Sequence, residues 1–197
     1  MQRLVVVVDT QADFMCADGA LPVAGAEALI APMQRWLASL RPAENAGVLF
    51  TFDTHSAETY PSSAEAEQFP LHCVRCTPGW ANVLDFGAVD LEIPVYRLEK
   101  GVFDMWAETD VAIEAVASGE TMARYAFFSS LSGRGVRKVA VIGVAADYCV
   151  RWAIEGLVAR GFSVELPAGL TRGIARQIEQ VVAEDFTNAA VRLETAA

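Results

Sequence analysis

The hydrophobic pattern of the chain alternates between two periods. Arg3–Val8, RLVVVV, is a continuous, largely β-branched run, the pattern of a strand buried on both faces. Ala26–Leu40 then places Leu29, Met33, Leu37 and Leu40 at helical spacing, and Pro32 marks where the regular helix starts. Further strands are predicted at Gly47–Phe52, Pro94–Glu99, Arg137–Val144 and Phe162–Pro167. A helix is predicted from Asp147, where Val150, Ala153, Ile154, Leu157 and Val158 share a face and Gly161 follows the end. Ile174–Phe186 reads as another helix, and Ala189–Glu194 as a short last strand or an extension of that helix. Strands that alternate with helices imply an α/β fold with a mostly parallel sheet. No internal repeat, low-complexity tract or linker interrupts the chain, so residues 1–197 are expected to form one domain. The one long irregular stretch, Asp53–Asp90, is too polar and too rich in proline to be regular throughout. A loop of that length in a compact domain is usually functional.

Composition narrows the classes. The chain has 197 residues and is 53% hydrophobic, enough to bury a full core. A net charge of -10, a pI near 4.6 and no cluster of Lys and Arg argue against a nucleic-acid partner. No apolar run approaches the roughly 20 residues of a membrane span. The N-terminal MQRLVVVVDT holds too few consecutive apolar residues for a secretory signal. Four cysteines in that context are expected to be reduced thiols of a cytoplasmic protein.

In open α/β sheets, sites form at the carboxyl ends of the strands. Asp9 ends the first predicted strand, Asp53 and His55 follow the second, Lys100 ends the third and Cys149 follows the fourth. With Asp147 as N-cap, Cys149 falls in the first helical turn, where backbone amides and the helix dipole stabilise a thiolate. On spacing alone, a small buried filler is an equal reading of Cys149. A carboxylate such as Asp9, straight after four valines, is costly to bury unless partnered. Lys100 by itself reads as a solvated lysine. Together on one edge, the carboxylate, cation and thiol supply the base, the oxyanion-side charge and the nucleophile of an acyl-transfer site. Asp53, His55 and His72 form a reasonable shell for zinc, iron or manganese, the two histidines being the only ones in the chain. Glu58, Glu65 and Glu67 are all within range as a fourth ligand. Cys73 and Cys76 make a CxxC, but there is no second pair and no thioredoxin-like context, so both read as structural.

The segments VVVVDTQADFMCADGALPVAGAEALI, FDTH, FPLHCVRCTPG, EKGVFD and GVAADYCVRWAIEGLVARGF resemble the nicotinamidase branch of the isochorismatase-like cysteine hydrolases, over a span reaching to about Arg172. The resemblance implies a three-layer, doubly wound α/β fold with a six-stranded, mostly parallel sheet flanked by helices. It implies catalytic roles for Asp9, Lys100 and Cys149, a cis peptide between Val144 and Ala145, and an oxyanion hole from the amides of Ala145 and Cys149. The implied reaction is hydrolysis of a small-molecule amide, nicotinamide and also pyrazinamide, through a thioester. A divalent metal is implied at Asp53, His55, Glu65 and His72, zinc first, with iron or manganese as alternatives. Many relatives carry a third histidine early in this loop, which this chain lacks. Ring stacking is implied for Phe14 and Phe69. After Lys100 the family has a Tyr/Ser-rich stretch where this chain has FDMWAETDVAIEAVASGETMARYAFF, which makes Phe103 and Trp106 candidates for the pocket wall. Relatives are often dimers or larger, so a homo-oligomer is expected. One rival is the same machinery acting on a carbamoyl amine, maleamate or a ureide, in branches that generally lack the metal motif. Another is a non-catalytic, ligand-binding member, against which the joint presence of Asp9, Lys100 and Cys149 speaks.

Overall fold

A computed structural model of the chain describes residues 2–187 and 190–194. In chain order the elements are β1 (Arg3–Val8), α1 (Ala12–Met15), α2 (Ile30–Ala38), β2 (Asn45–Asp53), β3 (Val95–Lys100), β4 (Ala112–Ala115), β5 (Thr121–Ala123), α3 (Arg124–Gly133), β6 (Lys138–Val144), α4 (Cys149–Ala159), β7 (Ser163–Pro167), β8 (Thr171–Arg172), α5 (Ile178–Asp185) and β9 (Val191–Glu194). They build one sheet of order β5-β4-β3-β2-β1-β6-β7-β9, with β8 beside β6. Neighbours from β3 through β9 pair in parallel, which gives the six expected parallel strands. Three short strands go beyond that expectation. β4 and β5 add an antiparallel edge next to β3, and β8 pairs with the end of β6.

β1 lies in the middle because its run of valines has no polar face to give to solvent. Leu4, Val6 and Val8 pack on one side with α3, α4 and α5 residues such as Phe127, Ile154 and Val181. Val5 and Val7 pack on the other with Phe14 and with Met33 and Leu37 of α2. Full burial contributes about 1.5–3 kcal/mol for each Val or Leu side chain, so this run commits to the central layer of three.

Two boundaries depart from the expected pattern. Asp147 does not cap α4, which begins at Cys149 behind Tyr148, a position without a side-chain cap bond. The Asp147 carboxylate instead accepts from the backbone N–H groups of Ile174, Ala175 and Arg176 at 2.9, 2.7 and 2.9 Å. Three donors on one charged acceptor outweigh the single bond of a cap. α5 starts at Ile178 rather than Ile174, behind Gln177, whose extended backbone (φ -78°, ψ 163°) breaks the helical path. Of the Ala189–Glu194 segment, Val191–Glu194 is a strand parallel to β7, and Ala189 lies outside the described residues. Asp53–Asp90 carries only 3-10 turns, at Tyr60–Ser62, Ala64–Glu67 and Phe86–Ala88. Among the described residues no helix is long and apolar enough to cross a membrane.

From β1 the chain builds outward through β2 and β3, then returns to β6 and builds the other way through β7 and β9. The order therefore reverses between β1 and β6, and a crevice is expected at the carboxyl ends of those two strands.

Candidate active site

Asp9 follows β1 directly, with φ at 48°. This left-handed backbone is uncommon for a residue with a side chain and is held in place by β2. The Asp9 N–H donates to the Thr51 carbonyl and hydroxyl at 3.3 and 3.2 Å, and the hydroxyl donates back to Asp9 Oδ1 at 2.5 Å. Lys100, the last residue of β3, extends its ammonium to 2.8 Å from Asp9 Oδ2, 3.3 Å from Asp53 Oδ1 and 3.6 Å from Cys149 Sγ. Asp9, Lys100 and Cys149 are 0%, 2% and 5% exposed, so their charges act on one another with little solvent screening.

That enclosure decides the protonation states. Burial pulls the Lys100 ammonium down, but Asp53, Asp9 and Cys149 outweigh it and hold the ammonium well above its ordinary value. Burial pushes the Cys149 thiol well above its ordinary value; Lys100 opposes this, and the two carboxylates add to it. A thiol raised in this way needs a base to become a nucleophile, and the Asp9 carboxyl lies on the same ammonium.

The turn that presents Cys149 leaves backbone donors free. The Val144–Ala145 peptide is cis. The Ala145 carbonyl accepts from Tyr148 and Val150 at 3.0 and 3.1 Å, and Ala146 donates to Arg172 at 2.7 Å. The N–H groups of Ala145 and Cys149 donate to no acceptor among the described residues. Two free amides beside a nucleophile are suited to a developing oxyanion.

Next to this group, one ligand atom from each of Asp53, His55, Glu65 and His72 lies within 4.8 Å of all the others, and all four residues are buried. Asp53 Oδ2 is 3.1 Å from Nε2 of both His55 and His72. Glu65 Oε1 is 3.7 and 3.4 Å from the same two nitrogens and has no hydrogen-bond partner. His72 Nδ1 lies 2.7 Å from the Pro70 carbonyl, which can only accept, so Nδ1 is the donor there and Nε2 is the atom that faces the cluster. Burial pulls His72 down, but Asp53, the nearby Glu65 carboxylate and the Pro70 carbonyl outweigh it and push the ring up to about 10. Burial likewise raises Asp53, yet Lys100, His55 and His72 hold its carboxyl well below the usual range. A pocket that attracts positive charge so strongly, with two imidazoles and two carboxylates converging, fits a divalent cation. Of the three glutamates in range, Glu65 is buried, whereas Glu58 and Glu67 are exposed.

Aromatic rings cover the crevice. Phe14 lies 5.2 Å from the His72 ring. Phe69, Phe103 and Tyr148 meet one another edge to face at 5.4 and 5.5 Å, and Trp152 stacks on Phe103 at 6.0 Å. Trp106 is a correction to the expected pocket wall. Its indole donates to the Ala153 carbonyl at 3.4 Å and lies against Gly156, two helical turns from Cys149. Packing with Phe128 and two arginines holds it on that side of α4. Thr51, Gln11 and Tyr60 are additions that spacing did not flag. Gln11 brackets the Asp53 backbone, accepting from its N–H at 2.7 Å and donating to its carbonyl at 2.8 Å. The Tyr60 hydroxyl donates to the Phe69 and Pro70 carbonyls at 3.1 and 3.0 Å. Trp152, three positions from Cys149, could have been flagged by the helical period alone.

Comparison with known proteins agrees with this geometry. The isochorismatase domain family matches residues 3–196. A nicotinamidase/pyrazinamidase of Mycobacterium tuberculosis is 28% identical over 196 residues, covering 97% of each chain. The crystal structure of a pyrazinamidase of Pyrococcus horikoshii in complex with zinc aligns with a TM-score of 0.74 at 25% identity, covering 100% of both chains. A structure from L. infantum in complex with nicotinate aligns with a TM-score of 0.74 at 24% identity, over 98% of this chain and 92% of the other.

Proposed function

The chain belongs to the isochorismatase domain family, and from that premise we propose that it is a cysteine amidohydrolase that converts nicotinamide and water to nicotinate and ammonia, and takes pyrazinamide by the same route. The observation that carries this reading is the Lys100 ammonium, 2.8 Å from Asp9 and 3.6 Å from Cys149, joined through Asp53 to a four-residue metal cluster. The whole described chain is proposed to act as one domain.

In the proposed reaction Asp9 removes the proton of the Cys149 thiol as sulfur attacks the carboxamide carbon. Lys100 stabilises the charge on sulfur, and the amides of Ala145 and Cys149 stabilise the oxyanion of the tetrahedral intermediate. Asp9 returns the proton to the nitrogen, and ammonia leaves a thioester. Asp9 then takes a proton from water as that oxygen attacks the thioester carbon. Collapse releases nicotinate, and the proton returns to sulfur. A divalent cation at Asp53, His55, Glu65 and His72 would supply a Lewis-acid contact for the ring nitrogen. Zinc suits the mixed imidazole and carboxylate donors, and iron or manganese also accept them.

Phe14, Phe69 and Phe103 are the proposed ring contacts. Phe69, Phe103 and Tyr148 meet edge to face, and aromatic rings of this kind suit contact with a planar aromatic amide. The test is ammonia release from nicotinamide, pyrazinamide, maleamate and a carbamoyl amine by the wild type and by Cys149→Ala, with and without chelator. Release from the two aromatic amides that is lost in Cys149→Ala supports the reading. Parent-rate release by Cys149→Ala would falsify it.

A further inference from the structure

Arg124, the first residue of α3, is 8% exposed, yet among the described residues no carboxylate lies within ion-pair distance of it. Its guanidinium donates to three main-chain carbonyls of one turn: Met105, Trp106 at 3.1 Å and Glu108 at 2.6 Å. A buried cation whose hydrogen bonds all go to backbone carbonyls, with the Trp106 ring 5.5 Å from it, fixes a chain path, because it is itself costly to bury without those carbonyls. A planar fork with five donors can meet three carbonyls at once, whereas a lysine ammonium acts from a single point.

The same turn is closed onto the catalytic strand. The Glu108 carboxylate accepts from the Gly101 N–H at 2.8 Å, one residue past Lys100. Between these ties stands Phe103, whose ring lies 5.4 Å from Phe69 and 5.5 Å from Tyr148. Phe69 belongs to the metal-site loop, and Tyr148 directly precedes Cys149. A shift of the 101–108 turn therefore moves Phe103 relative to both the nucleophile and the metal cluster.

We infer that Arg124 is a specificity-determining positioning residue: through the carbonyls of Met105, Trp106 and Glu108 it fixes the Phe103 ring and so sets the width of the slot that accepts a planar aromatic amide. Arg124 does not touch the substrate. The inference rests on the amidohydrolase reading above and adds what selects the ring.

The test measures KM and kcat for nicotinamide and for a small aliphatic amide in the wild type, Arg124→Lys, Arg124→Gln, Phe103→Leu and the Arg124→Gln/Phe103→Leu double variant. Arg124→Gln is expected to raise KM for nicotinamide about tenfold or more, with kcat and the aliphatic amide changing less than about threefold. Arg124→Lys should fall between it and the wild type. Phe103→Leu should reproduce the KM rise, and the double variant should be no worse than the worse single variant, since both act through one element. A lowered melting temperature with an unchanged KM in Arg124→Gln, or singles whose effects multiply, would overturn the inference. Should Arg124→Gln not fold, an unchanged KM in Arg124→Lys overturns it equally. A wild type that releases no ammonia from nicotinamide overturns the amidohydrolase reading and this inference with it; release with unchanged KM in the variants overturns the inference alone.

Discussion

Asp53 offers its Oδ1 to the Lys100 ammonium at 3.3 Å and its Oδ2 to the imidazoles of His55 and His72 at 3.1 Å. Asp53 and Lys100 are direct neighbours in the parallel register of β2 and β3. One buried carboxylate thus links Lys100 to the His55 and His72 imidazoles, and the same ammonium also pairs with Asp9. Electrostatic balance in the site depends on that single ammonium more than on any other group of the chain.

Replacing Lys100 by Met should therefore abolish ammonia release and also reverse the pH dependence of stability. In the wild type, Asp53 is pulled below its ordinary value by Lys100, His55 and His72 against burial. Its contribution is present above about pH 4 and is lost as pH falls toward the folded value. Without Lys100, burial dominates at Asp53 and its folded value rises above the unfolded one. The variant is then most stable in acid and weakens as pH rises, so the gap to wild type widens to about 3–5 kcal/mol at pH 7. Urea unfolding at pH 4.5 and 7.5 in chelator reads this directly, and a pH-independent gap would rule it out.

Glu65 is the proposed ligand whose contribution can be removed without touching the thiol side. Its Oε1 has no other partner, so Glu65→Gln removes a charge from the cluster while the 3-10 turn at Ala64–Glu67, capped by Ser63, stays in place. Zinc affinity, measured by competition with a chromophoric chelator, should fall by about tenfold or more. The rise in melting temperature on adding zinc should shrink in parallel. Equal zinc affinity in the variant would remove Glu65 from the ligand set.

Thr51 should behave as a positioning residue for Asp9. Thr51→Val keeps the shape but deletes the 2.5 Å donor to Asp9 Oδ1 and the acceptor for the Asp9 N–H. Leaving a buried acceptor unmet costs about 1–3 kcal/mol of stability. A misoriented base should lower kcat by about tenfold to a hundredfold with little change in KM. Thr51→Ser restores the hydroxyl and should recover most of kcat. Equal loss in both variants would show that the methyl, not the hydroxyl, matters.

Thr51 also shows where the sequence stops being legible. Asp9, Lys100 and Cys149 could be placed together because Asp9 follows β1, Lys100 ends β3 and Cys149 opens the helix after β6, and sheet topology brings the carboxyl ends of those strands together. The RLVVVV run fixed the bounds of β1 because burial on both faces leaves no room for polar exceptions. Thr51 and Gln11 act through partners across the sheet, and a local pattern carries no cross-strand register. Asp147 has a cap's chemistry at a cap's position, but its partners at Ile174–Arg176 lie almost thirty positions away. β4 and β5 are four and three residues long, too short to establish a period of two. Trp106 and Phe103 are three positions apart in an irregular segment, and only their packing separates them: Trp106 lies against Gly156, Ala153 and Phe128, and Phe103 against Phe69 and Tyr148.

Gly156 supplies a test in which two physical effects oppose each other. It lies inside α4, where alanine is ordinarily favoured over glycine by about 0.5–1 kcal/mol. A methyl group at this position would fall within the van der Waals radius of Trp106 Nε1 and of the adjoining ring carbons. The indole has little freedom to withdraw. Arg160 lies 3.8 Å from its ring centre, Phe128 lies at 4.8 Å, and Nε1 donates to the Ala153 carbonyl at 3.4 Å. Overpacking of this kind costs about 1–3 kcal/mol, more than helix propensity returns, so Gly156→Ala should be destabilising. Gly133, the last residue of α3, has nothing within 4 Å of the same added methyl. Gly133→Ala should therefore be neutral or stabilising by about 0.4–1 kcal/mol. Urea unfolding of the two variants side by side separates the effects, and a stabilised Gly156→Ala would mean that the Trp106 ring is free to move.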